Sequence, residues 1–196
     1  MGLIKRFFSS KKPSSSNEGG CDQGQSGSAE QLIEQGNVLE DAGDFVGAMR
    51  LYDQAIQKSP SLARAHLNRG NALQALGRLE EALTAYQTAI EYKPEYAGAH
   101  SNRGNASMRL GRQSEAIAAY ERALELDPSN FDAVIGKACA FEANGRLEGA
   151  LACYQQGLVI HDDNETAHLG AIRTLRSLGK PGLASDAVQK ALKFHE

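Results

Sequence analysis

Two pairs of asparagines, Asn68 with Asn71 and Asn102 with Asn105, sit three residues apart and recur 34 residues on (68 to 102, 71 to 105). A primary amide puts two N–H donors and a carbonyl acceptor on one short side chain. A row of such groups can clamp the backbone of an extended peptide without reading its side chains closely. Gln74 adds another amide, and Arg64 and Arg109 add cations that favour acidic flanks. These seven residues form the candidate peptide-binding set. The plainer reading is that the asparagines brace one helix against another, and on sequence alone both stand.

No reactive constellation accompanies them. The glycines lie on a 34-residue period and suit helix turns, so none forms a phosphate-cradling loop. His66, His100 and His168 share one repeat position and read as packing residues. Cys139 and Cys153 read as inert, buried or half-buried thiols. Neither an enzyme, a cofactor nor a metal is expected.

Composition narrows the class further. The chain has 196 residues, 41% hydrophobic and without tryptophan, so its core is built from Ala, Leu, Ile and Tyr. The net charge is -3, with a surplus of basic groups in residues 1–28 and the acidic excess in the remainder. An acidic array does not favour nucleic-acid backbones, and no nucleic-acid partner is expected. Three cysteines without metal-ligand spacing argue against a disulfide framework. The default compartment is the reducing cytoplasm.

The elements that must position the amides follow from the repeat. Sliding the chain by 34 aligns five copies: 29–62, 63–96, 97–130, 131–164 and 165–196. Position 15 of every copy is glycine (Gly43, Gly77, Gly111, Gly145, Gly179), suited to closing a helix in the left-handed conformation. Position 20 is always alanine, from Ala48 to Ala184. Position 24 is Tyr52, Tyr86, Tyr120, Tyr154 and then Val188, and position 32 is Pro60, Pro94 and Pro128 before Asp162 and Glu196. Apolar residues at 20, 21, 24, 27 and 28 have helical spacing. Each copy therefore predicts two helices of about 14 residues, roughly 20 Å long, with a tight turn between them. Small residues at positions 8 and 20 are expected to let the paired helices approach. The groove is expected on positions 2, 5, 6, 9, 12 and 13 of each first helix.

This pattern resembles the tetratricopeptide repeat family over residues 29–196. The resemblance implies an all-α, right-handed α-solenoid of five helix-turn-helix units, with the first helices lining a concave groove. Asn68 and Asn102 look like the asparagine ladder of the repeat arm of O-GlcNAc transferases. Chaperone-tail adaptors of the family place Lys at position 5 and Asn at position 9. Here Asn37, Asn71 and Asn105 stand at 9, but 5 holds Ile33, Leu67, Ser101, Ile135 and Leu169, so that partner is not expected. Copy five has no helix after it, which leaves fraying, docking or a homo-oligomer through the uncapped end as expectations.

Residues 1–28 form a separate region. Residues 9–28 are rich in Ser, Gly, Lys and Gln and are expected to be a disordered basic tail. Leu3, Ile4, Phe7 and Phe8 fall on one side of a helical turn flanked by Lys5 and Arg6. They mark a weak membrane-contact candidate; a solvated tail and a transit peptide are the alternatives. The first functional reading is a non-catalytic scaffold or adaptor that holds a protein partner, as an extended peptide or a helix, in its groove. The alternatives are the substrate-recruiting arm or a shortened relative of an O-GlcNAc-type glycosyltransferase, and a membrane-associated assembly factor, peripheral at the bilayer.

Overall fold

The computed structural model describes residues 27–192 of the chain; the membrane-contact candidate and the basic tail lie outside them, apart from Gly27 and Ser28. Ten helices follow in order: α1 (Ala29–Asp41), α2 (Phe45–Lys58), α3 (Ala63–Ala75), α4 (Leu79–Tyr92), α5 (Ala97–Arg109), α6 (Gln113–Leu126), α7 (Phe131–Ala143), α8 (Leu147–Ile160), α9 (Glu165–Ser177) and α10 (Pro181–Leu192). No strand occurs among the described residues. Helices one and two of each pair pack together, each second helix packs on the next first helix, and α1, α3, α5 and α7 touch in succession. The result is a solenoid.

Local chemistry sets the ends. Ser28 and Gln31 form a reciprocal capping box at α1, and Asn130 and Asn164 cap α7 and α9 through their side chains. The five turn glycines have φ between 69° and 81°. That region costs an L side chain about 1–2 kcal/mol, which explains the recurrence of glycine at position 15.

The core is a relay of small clusters rather than one centre. Ala48, Ala82, Ala116 and Ala150 are wholly buried, as are Tyr52 and Tyr86, with Tyr120 and Tyr154 nearly so. Each tyrosine ring lies between its own pair and the next. Position 8 departs from expectation here. Gly70 and Gly104 make room for a ring, not for a neighbouring backbone: a Cβ there would come within 2.5 Å of Tyr86 Cε1 and 2.6 Å of Tyr120 Cε1.

The last pair carries its own polar finish. At position 21 the earlier second helices bear Met49, Leu83, Ile117 and Leu151, whereas α10 bears Ser185, which is exposed, as is Gln189.

Candidate functional site

The asparagines of position 9 are anchored from below. The Tyr86 hydroxyl donates to Asn71 Oδ1 at 3.0 Å, and the Tyr120 hydroxyl donates to Asn105 Oδ1 at 2.6 Å. In copy one the Tyr52 hydroxyl donates to Glu40 at 2.7 Å and lies 3.0 Å from Asn37 Oδ1. The asparagines of position 6 then reach back one copy. Asn68 Nδ2 donates to Asn37 Oδ1, and Asn102 Nδ2 donates to Asn71 Oδ1, each at 2.8 Å. Buried tyrosine, position 9 amide and the next copy's position 6 amide thus form a relay from core to surface. Burial pushes the Tyr86 and Tyr120 phenols far above their ordinary range, so they remain neutral donors.

The relay leaves a defined surplus. The Nδ2 groups of Asn71 and Asn105 and the Oδ1 atoms of Asn68 and Asn102 have no partner among the described residues. Each of α3 and α5 therefore presents one free acceptor at position 6 and one free donor at position 9. Between copies one and two the row opens into a cleft of 290 Å³ lined by Asn37, Glu40, Asp41, Arg64, Asn68 and Asn71.

The other candidates fall beside this row. Gln74 Oε1 lies 3.3 Å from the same Tyr86 hydroxyl, as a second and more distant acceptor for its one proton. Arg109 Nη1 donates to the Gln74 backbone carbonyl at 2.7 Å. Arg64 pairs with Glu34 at 2.5 Å, with its side chain 45% exposed. Both arginines therefore brace neighbouring first helices while keeping further N–H groups toward solvent. Position 5 corrects the expected lining: Ile33, Leu67 and Ser101 are buried. In these three copies that position faces the pair's own core and the groove begins one residue later, at position 6, whereas Ile135 is half-buried and Leu169 of copy five is 54% exposed.

Copies four and five change the pattern. Position 6 becomes Gly136 and Gly170, and position 9 becomes Cys139 and Arg173. The Tyr154 hydroxyl now donates to Glu142 at 2.7 Å. Arg173 donates to both carboxylate oxygens of Glu142, and the Thr174 hydroxyl donates to its Oε1 at 3.0 Å. Burial pushes the Glu142 carboxyl upward, but the bonds from Arg173, Tyr154 and Thr174 outweigh it and hold the group below its usual value. Cys139 Sγ lies 3.5 Å from the Tyr154 hydroxyl, and burial pushes the Cys153 thiol up, which suits inert thiols.

The histidines hold turns together. Nε2 of His66, His100 and His168 lies 2.8, 3.0 and 2.7 Å from the backbone carbonyl of Pro60, Pro94 and Asp162. Each ties a first helix to the residue at position 32 before it. His100 is buried, and its Nδ1 meets no partner. Burial lowers its pKa, with the Pro94 bond opposing. A group whose neutral form is favoured by folding lends stability above its unfolded value, near 6.5 for histidine, and loses it as pH falls below that. We therefore expect the melting temperature of the parent chain to fall between pH 7.5 and 5.5 and His100→Gln to flatten that fall. Parallel slopes for the two proteins would refute this assignment.

Sequence reading missed a second set of contacts. Position 7 of one copy meets position 25 of the copy before: Arg69 with Asp53 at 2.6 Å, Arg103 with Gln87 at 2.9 Å and Lys137 with Glu121 at 3.1 Å. The signal was a polar residue at each position with complementary character one copy apart. A larger cleft of 620 Å³ opens on this side and is crossed by Arg112, which grips Glu80 with two bonds of 2.6 and 3.1 Å. The amides do not line it.

Comparison with known proteins gives a consistent picture. Models described as tetratricopeptide repeat match residues 67–131 and 107–173, and a model described as TPR repeat matches residues 36–77. No curated protein matches the sequence. A solved structure of MamA superposes with a TM-score of 0.76 at 22% identity, covering 82% of this chain and 94% of that one. MamA from Desulfovibrio magneticus RS-1, residues 41 to its end, gives 0.78 at 15%, covering 85% and 94%. YrrB, described as a TPR protein with an unusual peptide-binding site, gives 0.71 at 21%, covering 85% and 86%. At these identities the likeness is one of fold.

Proposed function

The chain belongs to the tetratricopeptide repeat family, and we propose that it is a non-catalytic scaffold whose first helices hold an extended peptide through the amide row. The observation that carries this is the set of unpartnered Asn71 and Asn105 N–H donors and unpartnered Asn68 and Asn102 carbonyls, fixed from beneath by buried tyrosines. Pre-fixed amides give up little rotamer freedom on binding. Gln74, Arg64 and Arg109 flank the row and favour acidic residues in the partner. YrrB, similar in fold, binds a peptide by its description, which supports the class of partner.

The test is affinity capture of partners by the full chain, followed by titration of a captured peptide. Each net hydrogen bond is worth about 0.5–1.5 kcal/mol. Asn68→Ala with Asn102→Ala should therefore weaken binding roughly 5- to 150-fold while helical circular dichroism is preserved. Asn71→Asp with Asn105→Asp keeps an acceptor for each tyrosine but removes the free donors, and should weaken binding with the brace intact. Unchanged affinity in both variants would remove the groove reading.

A second reading, an arm that recruits substrates for an O-GlcNAc-type glycosyltransferase, rests on Asn68 and Asn102 and uses the same groove. Label transfer from a nucleotide sugar by the purified chain separates the two. Among the described residues no helix is long and apolar enough to cross a membrane.

A further inference from the structure

Among the described residues, the first copy has no second helix packed before it, as every later copy has. Position 10 of copies two to five (Ala72, Ala106, Ala140, Thr174) is wholly buried, because the second helix of the preceding copy lies on it. Val38, at the same position of copy one, is 66% exposed. Position 11 repeats the contrast: Leu73, Ser107, Phe141 and Leu175 are buried, while Leu39 is only half-buried. The open slot is a cleft of 530 Å³ with Val38, Leu39 and Leu51 on its floor and Gln35, Arg50 and Gln54 at its rim.

A second copy of the chain fits this slot poorly. The surface that would extend the stack is α10, and it presents exposed Ser185 and Gln189 where a docking second helix needs apolar groups. The chain's own beginning fits better. Residues 1–26 lie outside the described structure and lead directly into Gly27 and α1. Their large aliphatic and aromatic side chains after Met1 are Leu3, Ile4, Phe7 and Phe8, spaced for one face of a helix. Eighteen residues separate Phe8 from Gly27, and a coil of that length reaches roughly 21–25 Å, whereas Val38 lies about 15 Å along α1 from Ser28. Such a tether supplies an effective concentration on the order of millimolar. Leu39 Cδ1 and the Asp44 carboxylate both border Gly47 beside the floor, the former 3.0 Å from where a Cβ would stand, so an acid is at hand for Lys5 or Arg6.

We propose that Leu3, Ile4, Phe7 and Phe8 dock in cis on the Val38–Leu39–Leu51 face as the second helix that copy one lacks. The segment thereby caps the array. The same four side chains cannot occupy this slot and a lipid surface together, so docking withdraws them from membranes. This inference does not depend on the peptide groove.

The full chain, labelled at its Val and Leu methyl groups and backbone nitrogens, tests it by NMR. Phe7→Ser with Phe8→Ser should remove a ring-current shift from Val38, Leu39 and Leu51 methyls and leave Val134 and Leu175 unmoved. Backbone order parameters of residues 3–8 should exceed about 0.6, the flexible limit, and fall below it in Val38→Glu, a substitution at an exposed site. Both signals should persist on dilution. Residues 3–8 flexible in the parent chain, methyls indifferent to the serine variant, signals that fade on dilution because a second copy supplies the contact, or order that arises only with phosphatidylserine vesicles would each overturn the proposal.

Discussion

Replacing Tyr120 by alanine is expected to lower stability by about 3–5 kcal/mol, the range for emptying a large aromatic site. Tyr120 is 1% exposed, and its ring is held between Gly104 and Gly136, where added Cβ atoms would come within 2.6 and 2.5 Å. It sits in the cluster that joins α6, α7 and α8 through Ile117, Val134, Ala138 and Tyr154. Stability in a stacked array is close to a sum of unit and nearest-neighbour terms. Loss of this ring should therefore uncouple the front copies from the rear ones, not merely weaken the whole. Urea unfolding followed by circular dichroism should show an earlier midpoint and a reduced apparent slope, because two segments unfold separately. Tyr120→Phe keeps the ring and loses the bond to Asn105, so it should cost only about 1 kcal/mol. Equal losses in the two variants would show that the hydroxyl, not the filled volume, carries the effect.

The pattern of glycine, alanine and tyrosine was legible because each is demanded by local geometry that recurs once per unit. Gly77 closes a turn at φ 76°, Ala82 is wholly buried between helices, and Tyr86 fills the inter-unit space. The candidate amides were legible for the same reason, since Asn68 and Asn102 occupy one position of two copies. What the period could not reveal depends on how one copy sits on the next. The bond from Asn68 to Asn37 spans a copy boundary, and so does the pairing of Arg69 with Asp53. Nor does periodicity determine where the groove edge falls. Leu67 and Asn68 are adjacent on one helix, yet Leu67 is buried and Asn68 borders the cleft. That division is made by the rotation of α3 against α1 and α5, which a 34-residue repeat does not encode.

The relation between positions 8 and 6 yields the other large effect. Each core tyrosine lies between position 8 of its own copy and position 6 of the next. The flanking pairs are Gly36 with Asn68, Gly70 with Asn102, Gly104 with Gly136, and Ala138 with Gly170. Every tyrosine thus keeps at least one glycine beside it. Where position 8 gains a methyl group at Ala138, glycine stands opposite, and a Cβ on Gly170 would run into Cε1 and Cζ of Tyr154. Gly170→Val should therefore destabilise by roughly 1–3 kcal/mol through overpacking, despite replacing a poor helix former. Ala138→Gly alone should cost about 1 kcal/mol in helix propensity. In the double variant the ring can move toward the vacated side, which leaves glycine at position 8 and a larger residue at position 6, the pairing that already flanks Tyr86 as Gly70 and Asn102. The two losses should then combine to less than their sum by about 1 kcal/mol or more, a coupling of the size seen between touching residues. Strict additivity in urea unfolding would mean that Tyr154 does not move between the two positions, and that the glycine at 170 answers some demand other than the alanine at 138.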